Sequence, residues 1–316
     1  MSFHRAMRTC QLLALSIACG ACASHTGSPA PHAAISPEMA PPEAVVPLGH
    51  ASGQFHTVPV WVNDRALTVA VLDTGIGIEL ISQALCERVG CVVEGSFSGQ
   101  RMSGQEVTLP LTRLERLEVA GVVREDVLAG VVDIEGFFSE PQLEVFVGLP
   151  FFEQTPFTLD GPGSRLVIES AASLSRREAG ARAVPVSVRR HGPAIDLFVP
   201  LRLGDQVAEV MMDTGSRSII LHPRYAELLG IDLEADDVRR QVGEDETGNP
   251  FTRHFTTIEQ PVAFEGAPGS ARAGLAVMFQ EIIHDGLVGT DLLSRCVVTY
   301  DLPRGRILVS GEDAGP

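Results

Sequence analysis

Two aspartates carry the chemistry this sequence offers. Asp73 and Asp213 each head an Asp-Thr-Gly tripeptide, Asp73-Thr74-Gly75 and Asp213-Thr214-Gly215, and each follows an apolar pair, Val71-Leu72 and Met211-Met212. Two carboxyls brought to about 3 Å cannot both ionise easily, so one titrates low and its partner high. The result is one base and one acid at a single point. Such a pair can take a proton from water, polarise a scissile carbonyl, and return a proton to the leaving amine as the tetrahedral species collapses. Gly75 and Gly215 leave room for a tight turn that aims backbone N–H groups at the carboxyls. Thr74 and Thr214 offer hydroxyls that can lock each loop to the other's backbone.

The elements around these tripeptides occur twice, at an offset of 140 to 141 residues. Val58-Pro59 returns as Val199-Pro200, Phe146-Val147-Gly148 as Leu287-Val288-Gly289, Thr158-Leu159-Asp160 as Thr299-Tyr300-Asp301, and Arg165-Leu166-Val167-Ile168 as Arg306-Ile307-Leu308-Val309. A repeat that preserves order and spacing defines the architecture before any motif does. The two copies, residues 48–169 and 186–312, read mostly as strand. Apolar and β-branched runs at 58–62 and 67–72, split by Asn63-Asp64-Arg65, form a hairpin pattern that 199–203 and 207–212 repeat around Gly204-Asp205-Gln206. Helical patches are expected at 83–89, 148–154, 224–229 and 289–296. Residues 170–185, without a strand pattern, read as the linker.

These residues resemble the pepsin and retropepsin class of aspartic peptidases, over nearly all of residues 55–312. Val71-Leu72-Asp73-Thr74-Gly75 and Met211-Met212-Asp213-Thr214-Gly215 are similar to the family's two catalytic loops, and the two apolar-apolar-Gly elements to those that underlie them. The resemblance implies an all-β fold of two tandem retropepsin-like β-barrel lobes, related by a pseudo-two-fold, with a cleft between them. It implies Asp73 and Asp213 as the catalytic dyad and Thr74 with Thr214 as an interlocked pair, with Gly75, Gly215 and Ser216 supporting the loops. One chain supplies both halves, so a monomer suffices. Substrate-covering flaps are expected at 97–107 and 242–255, with Gly99, Gly104, Gly243 and Gly248 freeing their tips. Neither stretch holds a tyrosine, which favours the retropepsin-like branch. Ser216 fits the family's pattern after the motif, whereas Ile76 departs from it. An isoleucine offers Asp73 only desolvation, which raises a carboxyl pKa. Asp73 is therefore expected to carry the shared proton more often.

Residues 1–22, with Arg5 and Arg8 ahead of a short apolar run and small residues, read as a secretory signal. Ser16-Ile17-Ala18-Cys19 and Cys19-Gly20-Ala21-Cys22 each resemble part of a bacterial lipoprotein signal, so lipid anchoring at Cys19 or Cys22 and simple secretion both stay open. Residues 23–47, rich in Pro and Ala, read as a disordered tether. The expected location is therefore exported: periplasmic, membrane-anchored through an N-terminal lipid, or secreted. In an oxidising compartment Cys86 and Cys91 can close a small disulfide loop or remain free thiols.

Composition narrows the rest. The chain has 316 residues, 24 basic against 40 acidic, a formal charge of -16, and no lysine at all. A phosphate-loop NTPase, a pyridoxal Schiff base and a kinase-type lysine are excluded, because each needs an ammonium at a defined place. The acidity argues against nucleic acid, whose binding needs clustered positive charge. Nine histidines occur without a His-x-x-x-His pair, so neither a metal nor a cofactor is expected. The partner is a peptide or protein substrate. The reading is an aspartic endopeptidase; the alternative is a non-catalytic peptide-binding or scaffold protein of the cell envelope that keeps the cleft without turnover.

Overall fold

A computed structural model of the chain describes residues 43–52, 55–134, 143–244 and 248–310. The signal reading of residues 1–22, Cys19, Cys22 and most of the tether lie outside the described residues.

The fold is all-β with two lobes. Residues of the first copy build an eight-stranded sheet, and those of the second a nine-stranded one. In each, the strand that leads to Asp-Thr-Gly is gripped from both sides. Ala66–Leu72 pairs antiparallel with Phe55–Val62 and parallel with Leu143–Val147. Gln206–Met212 does the same with Ala194–Leu203 and Gly286–Val288. Next to Asp-Thr-Gly these central strands are buried on both faces, which explains the apolar runs at 70–72 and 210–212, whereas their first halves alternate and expose Leu67 and Val207. The hairpin at Asn63-Asp64 turns with φ of 52° and 53° at its two central residues, the primed geometry that matches strand twist and that Asn and Asp tolerate. Helices occur at Gln83–Val89, Leu149–Phe152, Arg224–Leu228 and Thr290–Leu293, within the four expected patches. Cys86, in the first of these, is disulfide-bonded to Cys91 across a Cα separation of 5.1 Å.

A third sheet of six strands takes strands from both copies. Phe157–Asp160 pairs antiparallel with Val297–Asp301, its counterpart in the repeat, and the Thr158 and Thr299 hydroxyls hydrogen-bond at 2.7 Å where the copies meet. Phe157 stacks on Tyr300 at that seam, ring centroids 4.6 Å apart. One hydrophobic cluster runs continuously through both halves beneath this sheet.

The sheet corrects two expectations. Residues 44–47 are not tether: Ala44–Pro47 is an edge strand on Arg165–Ile168, because an open edge there can satisfy its backbone groups. Nor are 170–185 a structureless linker. Ala171–Gly180 is a helix opened by a Ser170 and Ser173 capping box, and Arg182–Pro185 adds a strand to Arg306–Ser310. That helix buries only Ser173 and Leu174, too narrow an apolar stripe to be seen as a period.

Candidate active site

The two Asp-Thr-Gly turns meet between the lobes. Each aspartate is seated from below: the Asp73 N–H donates to the Val147 carbonyl and the Asp213 N–H to the Val288 carbonyl, both at 3.0 Å. Each carboxyl is oriented by its own turn, with the Gly75 N–H donating to Asp73 Oδ1 and the Gly215 N–H to Asp213 Oδ1, both at 2.9 Å. Asp73 is 4% exposed and Asp213 wholly buried. The carboxyls face each other over the glycines. A β-carbon built on Gly75 would lie 2.6 Å from Asp213 Oδ1, and one on Gly215 2.6 Å from Asp73 Oδ1. Neither glycine is needed for a positive φ; both are needed for this approach.

Burial raises the Asp73 carboxyl well above the usual carboxylate range, and the Asp213 charge raises it further. The Gly75 and Gly215 N–H groups pull it back only in part. Ile76 is fully buried and brings no donor to offset this. It packs instead over Gly148, where a β-carbon would come within 3.1 Å of its Cγ2. Ser216, in the corresponding place, is buried with its N–H on the Asp213 carbonyl at 3.3 Å, and its carbonyl receives the Thr290 N–H at 2.9 Å. Gly289 lies under that loop, with room for no β-carbon between it and the Ser216 and Arg217 carbonyls.

Thr74 and Thr214 interlock. The Thr74 N–H donates to Thr214 Oγ1 at 3.0 Å and the Thr214 N–H to Thr74 Oγ1 at 3.1 Å. In turn Thr74 Oγ1 donates to the Met212 carbonyl at 2.9 Å, and Thr214 Oγ1 to the Leu72 carbonyl at 2.7 Å. Four buried bonds thus cross between the two turns, two of them between the threonines and two onto the residues that precede the aspartates. Thr74→Val deletes one donor and one acceptor of this set and leaves their partners buried. It is expected to cost about 2–4 kcal/mol in urea-denaturation free energy; a loss below about 0.5 kcal/mol would show that the lock carries no load. Beneath it lies Tyr300, which the sequence did not single out. Burial pushes its phenol above the ordinary range, the Thr74 side chain offsets part of that, and the Asp213 charge adds to the rise.

The two expected flaps are hairpins. Val93–Gln100 pairs with Glu106–Val119, and Arg239–Glu244 with Pro250–Ile258. Gly104 and Gly248 sit at their ends with φ of 84° and 81°. Gly99 and Gly243 do not: they lie within the strands, paired with Val107 and Phe251, because the turns fall further along than the glycine pattern suggested. The first hairpin reaches across to the other lobe. The Ile283 N–H donates to the Met102 carbonyl at 2.9 Å, and Met102 packs on the apolar cluster that contains Met211 and Leu287. Nothing in the spacing of 97–107 signalled this crossing, which depends on how the lobes dock. Among the described residues no group of His, Cys, Asp and Glu is arranged to hold a metal ion.

A family model described as aspartyl protease matches residues 58–151, the stretch with the first Asp-Thr-Gly. Among solved structures the chain is similar to basic 7S globulin from soybean, at 12% identity and TM-score 0.50, covering 85% of this chain and 94% of that one. It is also similar to conglutin gamma, a basic 7S globulin from lupine seeds, at 10% identity and TM-score 0.51, covering 86% and 95%. No curated protein matches the sequence. The chain therefore has an aspartic-protease-like fold.

Proposed function

We propose that the protein is an aspartic endopeptidase, with Asp73 and Asp213 as its catalytic dyad. The observation that carries this is the approach of two buried carboxyls, each oriented by the N–H two residues on, with Asp73 held in a site that raises its pKa. In this reading Asp73 holds the shared proton and Asp213 is the base. Asp213 takes a proton from a water, whose oxygen adds to the scissile carbonyl carbon, while Asp73 gives its proton to the carbonyl oxygen. The resulting diol loses a proton back to the dyad as the C–N bond breaks and the amine nitrogen is protonated. Thr74, Gly75, Thr214, Gly215 and Ser216 hold the dyad, and the hairpin ending at Gly104 closes over the peptide. The Gly248 hairpin flanks the other side.

One observation favours the alternative of a peptide-binding protein without turnover: the buried Ile76 gives Asp73 no hydrogen bond where Ser216 stands in the other loop. A single experiment separates the two. The purified protein is incubated with a diverse peptide library from about pH 3 to about pH 8, with and without a pepstatin-type inhibitor. Inhibitor-sensitive cleavage, fastest on the acid side, is expected. A folded protein that binds peptides and cuts none at any pH would leave only the binding role. Export of the chain, with or without a lipid on Cys19 or Cys22, belongs to this proposal through the amino-terminal sequence alone.

A further inference from the structure

Glu79 is a buried carboxyl that the proposed chemistry does not use. It stands on the strand Glu79–Ser82, only 3% exposed, in a run otherwise made of Ile78, Leu80 and Ile81. Isolated carboxyls do not occupy such places without hydrogen bonds. Glu79 Oε1 receives the Phe151 N–H at 2.8 Å, and the backbone N–H groups of Gly148 and of Glu79 itself lie where they favour its charged form. Those partners form the turn directly beneath the first Asp-Thr-Gly loop: Val147 accepts the Asp73 N–H, and Gly148 lies against Ile76.

The second lobe holds its equivalent turn differently. There the Thr290 and Asp291 N–H groups donate straight to the Ser216 and Arg217 carbonyls, at 2.9 and 2.8 Å. In the first lobe the residue corresponding to Asp291 is Pro150, which has no N–H to give. The residue corresponding to Glu79 is Ile219. One lobe thus grips its loop through N–H donors of the turn, whereas the other lacks one of those donors and ties its turn instead to the strand after the loop, through the Phe151 N–H on the Glu79 carboxyl.

We infer that Glu79 is the positioning residue of Asp73: its carboxyl holds residues 148–151 in the place from which they seat the Asp73 loop. The inference rests on the peptidase reading for its kinetic consequence, though not for its structural one. Burial raises the Glu79 carboxyl to about 7, against an ordinary 4.5. The groups around it are few: the helix Leu149–Phe152 is uncharged, the residue paired with Glu79 on the strand Val122–Val132 is Ala129, the cation of that strand is Arg124, which donates to the Phe151 carbonyl, and the titratable group on the loop is Asp73. A folded-state pKa above the unfolded one means stability present at low pH and lost as pH rises from 4.5 through about 7.

The test compares Glu79→Ile and Glu79→Gln with wild type, all full-length, by peptide kinetics, by hydrogen exchange at the Asp73 amide and by thermal melts from about pH 4 to about pH 8. Glu79→Ile is expected to lower kcat about 10- to 100-fold with KM changed less than about twofold, and to speed Asp73 amide exchange by a similar factor. Glu79→Gln keeps an oxygen acceptor and should hold kcat within about threefold. Its Tm relative to wild type should climb across the pH window above. A folded Glu79→Ile protein with unchanged kcat and unchanged Asp73 exchange overturns the inference. If wild type cleaves nothing, the exchange measurement still decides: faster exchange supports the positioning role while the peptidase reading falls, and unchanged exchange removes both. If Glu79→Ile does not fold, Glu79→Ala is measured in its place, and unchanged Asp73 exchange with unchanged kcat in the folded variant overturns the inference.

Discussion

Asp73→Asn is expected to lower peptide cleavage by about four orders of magnitude while raising thermal stability near neutral pH. The two effects have one cause. Asn keeps the Oδ1 that receives the Gly75 N–H, so the turn survives, but it can neither carry nor release the shared proton. The stability change follows from the raised Asp73 pKa, for which burial is the first cause and Asp213 the second. An unfolded chain ionises this aspartate at about 3.8, whereas the folded one still holds its proton above that pH, so stability falls as pH rises. Asn does not titrate. Melts of the two proteins should therefore nearly coincide at about pH 3 and separate in favour of Asp73→Asn by about pH 7, by a few degrees for each kcal/mol. Equal Tm values at both ends would mean that Asp73 is not desolvated in the folded protein, and cleavage undiminished by Asn would remove the dyad.

Gly215→Ala should also lower activity, by about two orders of magnitude, for a reason that has nothing to do with backbone freedom. Where a glycine has ordinary dihedrals and open space, alanine stabilises by about 0.4–1 kcal/mol through the unfolded chain. Gly180, with nothing within 4 Å of an added β-carbon, is such a site and serves as the control. At Gly215 the added methyl would overlap both carboxyl oxygens of Asp73, so the carboxyl or the loop must move. A displacement of about 1 Å at a reacting group costs on the order of 100-fold in rate, and the overlap about 1–3 kcal/mol in stability. Steady-state kinetics with urea denaturation of Gly215→Ala and Gly180→Ala would read both. Full activity in Gly215→Ala would mean that the carboxyls do not pack as tightly as this site requires.

Much of the site was legible because the chain states it twice. Asp73 and Asp213, the strands that precede them, and the glycines at 148 and 289 pair by register in the sequence itself. What misled was local composition. Gly99 and Gly243 looked like turn tips but sit inside ladders, since glycine also occurs in strands where a partner's side chain leans over it; at Gly243 that partner is Phe251. The segment at 170–185 looked irregular because its helix is mostly exposed, and its strand exists only where Arg306–Ser310 offers an edge.

By itself, then, the sequence determined the repeat, the all-β class, and the two Asp-Thr-Gly turns with threonines able to bond across. Apolar runs and turn residues report what each segment buries, and a repeat reports that two segments bury it alike. The tertiary structure alone decided which groups meet: the crossed threonine bonds, the six-stranded sheet joining both copies at Thr158 and Thr299, the reach of Met102 to Ile283, and the seat of Glu79 beneath Asp73. Hydrogen bonds are directional and end within about 3.2 Å, so they depend on the relative placement of distant segments, which no local pattern of residue types encodes.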